Sequence, residues 1–293
     1  MPAKAKIGKL VVIGVGLIGG SFALALRKAH AVKRVVGVGR TRRNLALAVR
    51  RGIIDETAAD AGRAVRDADF VFLGTPVGQM AHVMAQIAPC LPAHCVVTDG
   101  GSTKQDVIGY ARELLGAHYA RCVPSHPIAG TENSGAAAAQ ADLFRDRNVI
   151  LTPQAETSPA ALRTVRAAWE QCGARIVRLE AREHDEILAA VSHLPHVVAF
   201  ALVNALAARD NAPKLLRHSG GGLRDTVRIA GSSPEMWRDI CIANREALLA
   251  ALDGYTAELA RARAAIDKRD GTALEQMFER ARSARARWLL RRH

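Results

Sequence analysis

LVVIGVGLIGGSFALALRKA, residues 10–29, decides the fold. Leu10–Ile13 is a short apolar, β-branched run that reads as a strand, and Leu17–Ala29 places its apolar residues at helical spacing. Between them Gly14, Gly16 and Gly19 make a G-x-G-x-x-G turn. Gly14 allows the tight turn, Gly16 lets the backbone approach a pyrophosphate, and Gly19 lets the helix pack close to the strand. The amides that open the helix, at Leu17 and Ile18, then face the phosphates. Alone the motif is weak, but a strand before it and a helix after it supply the context that dinucleotide binding requires.

The next strand, Arg34–Val38, ends at Gly39-Arg40-Thr41-Arg42-Arg43. An NAD site usually carries an acid here, hydrogen-bonded to the ribose 2′-hydroxyl. This chain carries none. Arg40, Thr41 and Arg42 suit a 2′-phosphate instead, since a guanidinium grips phosphate bidentately and an acid would repel it. NADP is therefore the expected cofactor, with NAD as the second choice.

Strand and helix patterns go on alternating. Strands are expected at Phe70–Leu73, Cys95–Thr98, Arg121–Val123, Asn148–Leu151 and Arg175–Leu179, with helices between them, among them Thr103–Leu115 and Pro159–Cys172. This alternation predicts a parallel sheet with right-handed crossovers. After Leu179 the strand signal stops. Glu183–Arg209 reads as one long apolar helix bent at Pro195, and Ser219–Gly222 as a glycine-rich loop. Ser233-Pro234-Glu235 has the residues of a helix start. Leu248, Leu252, Tyr255 and Leu259 continue at 4-3-4 spacing until Asp270-Gly271-Thr272 breaks the helix, and a last helix follows. The fold class is thus α/β: a Rossmann-type doubly wound sheet over residues 1–178 and an all-helical domain over 179–293. The helical part has more apolar face than one copy can cover, which predicts a homodimer through that domain.

Composition narrows the class. The chain has 293 residues, 49% of them hydrophobic and only 4% aromatic, and a net charge of +13. The basic residues are dispersed and do not interleave with aromatic platforms, so no nucleic-acid partner is expected. The densest basic run, Arg280–His293, reads as a solvated helix face. Cys90, Cys95, Cys122, Cys172 and Cys241 are odd in number and widely spaced, which suggests neither a disulfide framework nor a thiolate metal site. Reduced thiols place the chain in the cytoplasm. Lysines 4, 6 and 9 before an apolar run mimic a signal peptide, but Gly14 and Gly16 break the run. The apolar stretch Ala189–Leu206 contains His193, Pro195, His196 and Asn204, so it reads as a buried helix and not a membrane span.

Candidate chemistry lies where strands end, the place ligands bind in such sheets. Three segments qualify: Thr75-Pro76, Asp99-Gly100-Gly101-Ser102-Thr103-Lys104, and Ser125-His126-Pro127-Ile128-Ala129-Gly130-Thr131-Glu132. His126, at a strand end above a dinucleotide, is a candidate acid/base group.

These segments carry a family resemblance. GVGLIGGSFALAL (14–26), DGGSTK (99–104), HPIAGTENSG (126–135), VILTP (149–153), VSHLPHVVAFALVNAL (191–206), GGGLRDTVRIAGSSPEMWRDI (220–240) and the N-R-E segment (244–246) together resemble the prephenate/arogenate dehydrogenases of tyrosine biosynthesis. The resemblance implies oxidative decarboxylation of a cyclohexadienol: prephenate to 4-hydroxyphenylpyruvate, or arogenate to tyrosine, with carbon dioxide and reduced cofactor. It implies His126 as the catalytic histidine that accepts the hydroxyl proton, and Ser102 as support for that hydroxyl or the nicotinamide. Arg228 should pair with the substrate side-chain carboxylate, and His196 should line the pocket. Ser192, Gly130, Thr131 and Gly221 complete the expected substrate contacts. Thr75, Pro76 and Asp99 join the glycine turn on the cofactor side. His193 and His196 lie three apart, but nothing at matching spacing completes a metal site, so no metal is expected. Arg224 reads as a structural partner of Asp225. With no long extension at either end, no fused mutase or tyrosine-sensing domain is expected. Two other readings are a β-hydroxyacid dehydrogenase, which needs a lysine that Glu183–Ala208 lacks, and a non-catalytic NADP-binding protein.

Overall fold

The computed structural model describes residues 6–131 and 133–290. Lys4, Glu132 and the tail residues Arg291, Arg292 and His293, which enter the sequence reading, lie outside the described residues. The chain begins with β1 (Ile7–Ile13), α1 (Leu17–Lys28), β2 (Val32–Val38), α2 (Arg42–Arg50), β3 (Glu56–Ala58), α3 (Ala61–Val65), β4 (Phe70–Leu73), α4 (Val77–Ile87), β5 (Val96–Asp99), α5 (Gln105–Leu114) and β6 (Cys122–Val123). These six strands form one parallel sheet in the order β3-β2-β1-β4-β5-β6. The order reverses between β1 and β4, which opens a crevice at the carboxyl ends of those two strands.

Both faces of the sheet are covered, so its central strands are apolar throughout. Leu10, Val12, Phe70 and Phe72 face one core with Phe22, Phe144 and Trp169. There Phe22 stacks on Phe72 at 4.5 Å between ring centroids, and Phe144 meets Trp169 edge-on at 5.0 Å. Val11, Val36, Val71, Met80 and Met84 face the other core.

A second sheet follows, and here the structure departs from the expected single parallel sheet. β7 (Ser125–Pro127), β8 (Asn148–Leu151) and, after α6 (Pro159–Gln171), β9 (Arg175–Arg178) form a separate three-stranded sheet. β7 and β8 are antiparallel, and β8 and β9 parallel. The long connection from Pro127 to Asn148 returns the chain beside β7 without a helical crossover, which an antiparallel pair permits. β3 and α3 are too short to leave a periodic signal in the sequence.

The remaining described elements are helical: α7 (Ala181–Leu188), α8 (Leu194–Ala207), α9 (Ala212–Arg217), α10 (Gly221–Val227), α11 (Pro234–Ala243), α12 (Arg245–Asp267) and α13 (Gly271–Leu290). α7 and α8 form one continuous helix through a π-helical turn at Ala189–His193. Pro195 follows that widened turn by two residues, and a π-helical turn is one of the places where a helix accommodates an interrupted hydrogen-bond ladder. Gly221 and Gly222 open α10 and do not form a loop. By its contacts the chain divides into Met1–Arg245 and Glu246–His293. That division lies beyond the change of character at 178/179 because α11 sends Trp237 and Ile240 into the core beside Val36 and Met80.

Gly19 shows why the opening turn has its composition. A Cβ there would fall inside van der Waals contact of the Gly14 carbonyl oxygen and 2.9 Å from Val12 Cγ1. Gly→Ala inside an exposed helix normally stabilises by about 1 kcal/mol. Here Gly19→Ala should reverse sign and destabilise by about 1–3 kcal/mol, the usual cost of overpacking. Urea denaturation measures it, and a stabilised variant would contradict the close strand–helix approach.

Candidate active site

The crevice between β1 and β4 has the features of an anion cradle. Gly14 adopts φ +96° and donates its amide to Val38 O at 2.9 Å. A side chain there would meet the Gly74 backbone at 2.5 Å. The space around Gly16 is open, with nothing within 4 Å of an added Cβ. α1 starts at Leu17 with no side-chain cap and no acid in its first turn. The amides of Leu17, Ile18 and Gly19 therefore have no intrahelical partner and suit a pyrophosphate. At the end of β4, Thr75 Oγ1 is buried without a hydrogen-bond partner, and Pro76 precedes α4. These residues fit a dinucleotide.

Asn44 ties this turn to the segment after His126: its Nδ2 donates to Val15 O at 2.7 Å and its Oδ1 accepts from Ala136 N at 2.8 Å. Of the residues expected at the ribose end, Thr41 and Arg42 are exposed at the start of α2. Arg40 is also exposed, but its guanidinium is engaged by Glu235 at 2.8 and 3.2 Å.

Asp99 takes a different place from the one expected of it. It is buried and forms an ion pair with buried Lys104. Its oxygens also accept from Gly101 N at 2.8 Å and Ser125 N at 3.0 Å. With both oxygens used inside the protein, Asp99 shapes the loop under the cofactor end and offers the cofactor no free oxygen. Ser102 lies half-buried on that loop, between Asp99 and Lys104.

His126 stands on β7 and is 9% exposed. Its Nδ1 is 2.8 Å from Nε2 of His184, whose Nδ1 is 2.7 Å from Asp185 Oδ1. Asp185 also accepts the backbone amides of Lys104 at 2.8 Å and Gln105 at 2.9 Å, at the start of α5. Burial alone would raise the Asp185 carboxyl. Its hydrogen bonds from His184 and these two amides outweigh burial and hold it below the ordinary range. An ionised Asp185 can only accept, so His184 carries its proton on Nδ1 and presents a bare Nε2. His126 must then donate from Nδ1, which leaves its Nε2 lone pair free. Burial, and then the charges of His184, Lys104 and His193, push His126 well below the ordinary imidazole value. His126 is thus a neutral base with its tautomer set by a buried chain.

The helical side joins through Asn244, whose Nδ2 donates to Asp185 O at 2.7 Å and lies 3.0 Å from His193 Nδ1. If the amide donates to that nitrogen, the proton of His193 sits on Nε2, which is buried and has no protein partner. Trp237 lies edge-on to His193 and stacks on His196 at 3.5 Å between ring centroids. His196 uses Nδ1 on Ser192 O at 2.9 Å, which leaves Nε2 available. Burial lowers His196, and the Arg228 charge lowers it further, so Arg228 lies within electrostatic reach.

Arg228 begins a short 3-10 turn after α10 and is exposed. Gly130 and Thr131 are exposed on the loop after β7, with Thr131 Oγ1 accepting from Asn133 N at 3.2 Å. Gly221 is exposed at the start of α10 and makes no close contact through its Cα side. The structure therefore links His126, His193 and His196 through one chain of contacts, while Gly221 stands apart from it. Sequence reasoning missed His184, Asp185 and the role of Lys104. The available signal was the adjacent pair His184-Asp185 in a charged first turn that leads directly into a long apolar run. Among the described residues no group of three or more His, Cys, Asp or Glu could hold a metal ion.

The chain is similar to known proteins along most of its length. A family profile for the prephenate dehydrogenase nucleotide-binding domain matches residues 22–178, and one for the prephenate dehydrogenase dimerization domain matches residues 180–280. The cyclohexadienyl dehydrogenase of Zymomonas mobilis is 40% identical over 281 residues, covering 94% of each chain. The prephenate dehydrogenase of Bacillus subtilis is 36% identical over 278 residues, covering 94% of this chain and 75% of its own. Among solved structures, prephenate dehydrogenase from A. aeolicus in complex with hydroxyphenyl propionate and NAD+ superimposes with a TM-score of 0.89 at 33% identity, over 97% of this chain and 99% of that one.

The buried histidines predict a pH response of stability. His193 is lowered from its ordinary value to about 4, chiefly by burial. Between that value and about 6.5 the unfolded chain binds the proton and the folded chain does not, so stability falls as pH falls. His193 alone should contribute a loss on the order of 2 kcal/mol between pH 7 and pH 5. Denaturant titrations at the two pH values test this, and His193→Asn should flatten the slope. An unchanged slope would mean that His193 is not held neutral in the folded chain.

Proposed function

The chain belongs to the prephenate dehydrogenase family, and we propose from that membership how its own residues divide the reaction. It is a nicotinamide-dependent dehydrogenase of tyrosine biosynthesis that carries out an oxidative decarboxylation. The substrate in this reading is prephenate, arogenate or both, which differ only in a keto or amino group on the side chain. The observation that carries the reading is the chain His126–His184–Asp185, which prepares one neutral imidazole nitrogen to take a proton.

When bound, the nicotinamide supplies the hydride acceptor. His126 Nε2 accepts the proton of the ring hydroxyl as that carbon loses hydride and its oxygen becomes a carbonyl. The imidazolium that forms is stabilised through His184 by the Asp185 carboxylate. The bond to the ring carboxylate then breaks and carbon dioxide leaves; its electron pair completes the aromatic ring by moving through it to the carbonyl oxygen, which takes the proton back from His126 as the phenol hydroxyl. A free cation beside that carboxylate would hinder the step, and Lys104 is neutralised by Asp99. Ser102 supports the hydroxyl or the nicotinamide. Arg228 pairs with the side-chain carboxylate, while His196, Ser192, Gly130, Thr131 and Gly221 line the substrate side. The partnerless Nε2 of His193 adds a donor there.

The cofactor reading favours NADP, with NAD also accepted. Its support is the absence of an acid at the end of β2 and the presence of Arg40, Thr41 and Arg42. Gly14, Gly16, Leu17, Ile18, Gly19, Thr75 and Pro76 hold the remainder of the dinucleotide. In this division residues 1–178 bind the dinucleotide and 179–293 bind substrate and pair two copies. Support for a homodimer comes from α8, which is mostly apolar yet buries only Ala199 within one chain. The long apolar helix Ala181–Ala207 meets the length and composition of a membrane span. Its buried, hydrogen-bonded His184, Asp185 and His193 favour a place in the site of a cytoplasmic enzyme, with no nucleic-acid or membrane partner.

Prephenate or arogenate mixed with NAD or NADP, followed at the absorbance of reduced nicotinamide, tests the whole reading, and silence in all four combinations would end it. His126→Asn should retain cofactor affinity and lose about 10²–10⁴-fold in kcat. In the wild type the acid limb of kcat/KM should lie below pH 6.5, because His126 binds its proton only below the ordinary value. Arg228→Ala should act mainly on KM for substrate, raising it about 10–100-fold. An unchanged KM would remove Arg228 from the carboxylate site.

A further inference from the structure

β2 ends without a carboxylate in its own sequence, yet a carboxylate stands there. Glu235, in the first turn of α11, takes the Arg40 guanidinium in a two-pronged contact, Nη1 to Oε1 at 2.8 Å and Nη2 to Oε2 at 3.2 Å. This is the same fork that a guanidinium offers to a phosphate. The two residues are 195 positions apart in sequence. α11 is anchored where it stands. Ser233 caps it by accepting from Met236 N, and Trp237 and Ile240 are buried in the core of the sheet. One turn on, the largely buried Asp239 adds a second negative charge whose field reaches Arg40. It is itself paired with Arg238.

We propose that Glu235 is a specificity-determining residue, an internal competitor that occupies Arg40 and so holds back binding of a nucleotide 2′-phosphate. The inference rests on the reading above that Arg40 serves that phosphate. An arriving 2′-phosphate must displace Glu235 from the guanidinium and approach Asp239, and both carboxylates oppose a dianion. A nucleotide with a 2′-hydroxyl leaves the pair intact. Glu235 therefore narrows the gap between NADP and NAD and keeps the second cofactor usable. Arg40 and Glu235 side chains are 69% and 40% exposed, and exposed pairs of this kind are weak enough to exchange. The result is a bias of several-fold and not a block.

Calorimetric titration of 2′,5′-ADP and of ADP into the full chain separates the terms without turnover. Glu235→Gln keeps the shape and removes the charge. It should tighten 2′,5′-ADP about three- to fivefold and leave ADP unchanged. In an Arg40→Gln background the same substitution should give a clearly smaller gain, because only the direct repulsion between carboxylate and phosphate is left to relieve. An unchanged or weaker affinity for 2′,5′-ADP in Glu235→Gln overturns the proposal. So does a weaker affinity for ADP, which would make Glu235 a ribose ligand, or an equal gain in the Arg40→Gln background. The NADP reading fails separately, if Arg40→Gln alone leaves 2′,5′-ADP binding unchanged.

Discussion

The site depends on where one carboxylate is held. Asp185 lies on the first helix after the sheets, and its two oxygens accept amides of Lys104 and Gln105 at the start of α5. A helix start has unpaired amides and a favourable field for an anion, so the contact fastens α7 to the sheet and keeps Asp185 ionised. Everything that follows in the site inherits its direction from that charge. His184 must turn its Nδ1 proton toward Asp185, His126 must turn its own toward His184, and the remaining nitrogen of His126 is left bare. The backbone of Asp185 is held as well, by Asn244 near the end of the same compact unit.

Beside this chain lies a second buried charge pair with a different task. Lys104 and Asp99 are almost fully buried together. Burial of an ion pair is tolerated when its remaining hydrogen-bonding capacity is met. Gly101 N and Ser125 N meet it for Asp99. Ser125 in turn receives the Trp169 indole N–H at 3.1 Å. Trp169 is the largest fully buried side chain, so the aromatic core and the charged loops meet at one hydroxyl. The loops at the carboxyl ends of β4, β5 and β7 thus rest on the core they emerge from.

What the sequence disclosed follows from the range of each interaction. The glycine turn and the long strands are local, and their periods are written in consecutive residues. The direction of β7 relative to β8 is not, because a strand three residues long has the same alternation either way. His126 and His184 are 58 positions apart, and neither neighbourhood advertises the other. His193 reads from sequence as one polar residue of a buried apolar helix, and in the fold only its Nδ1 meets a protein partner. Asp99, placed at a strand end, looked like a ligand to the cofactor because its partner Lys104 reads as an ordinary surface lysine until the loop closes over it. Arg40 was legible as a cation, but Glu235, which engages it, comes from an element that sequence assigns to the other domain.

The π-helical turn at Ala189–His193 gives the continuous helix formed by α7 and α8 a phase as well as a length. Each residue of an α-helix advances the next side chain by about 100°. The widened turn resets that advance between His184-Asp185 upstream and His193-His196 downstream, so that both pairs reach the same network. The nine positions from His184 to His193 therefore act as a count, not as a spacer. Loss or gain of a single residue within them would leave the helix intact and swing the downstream pair about a quarter-turn out of register. Exposed positions on this stretch, such as Ile187 and Val191, can change one at a time, whereas its length cannot.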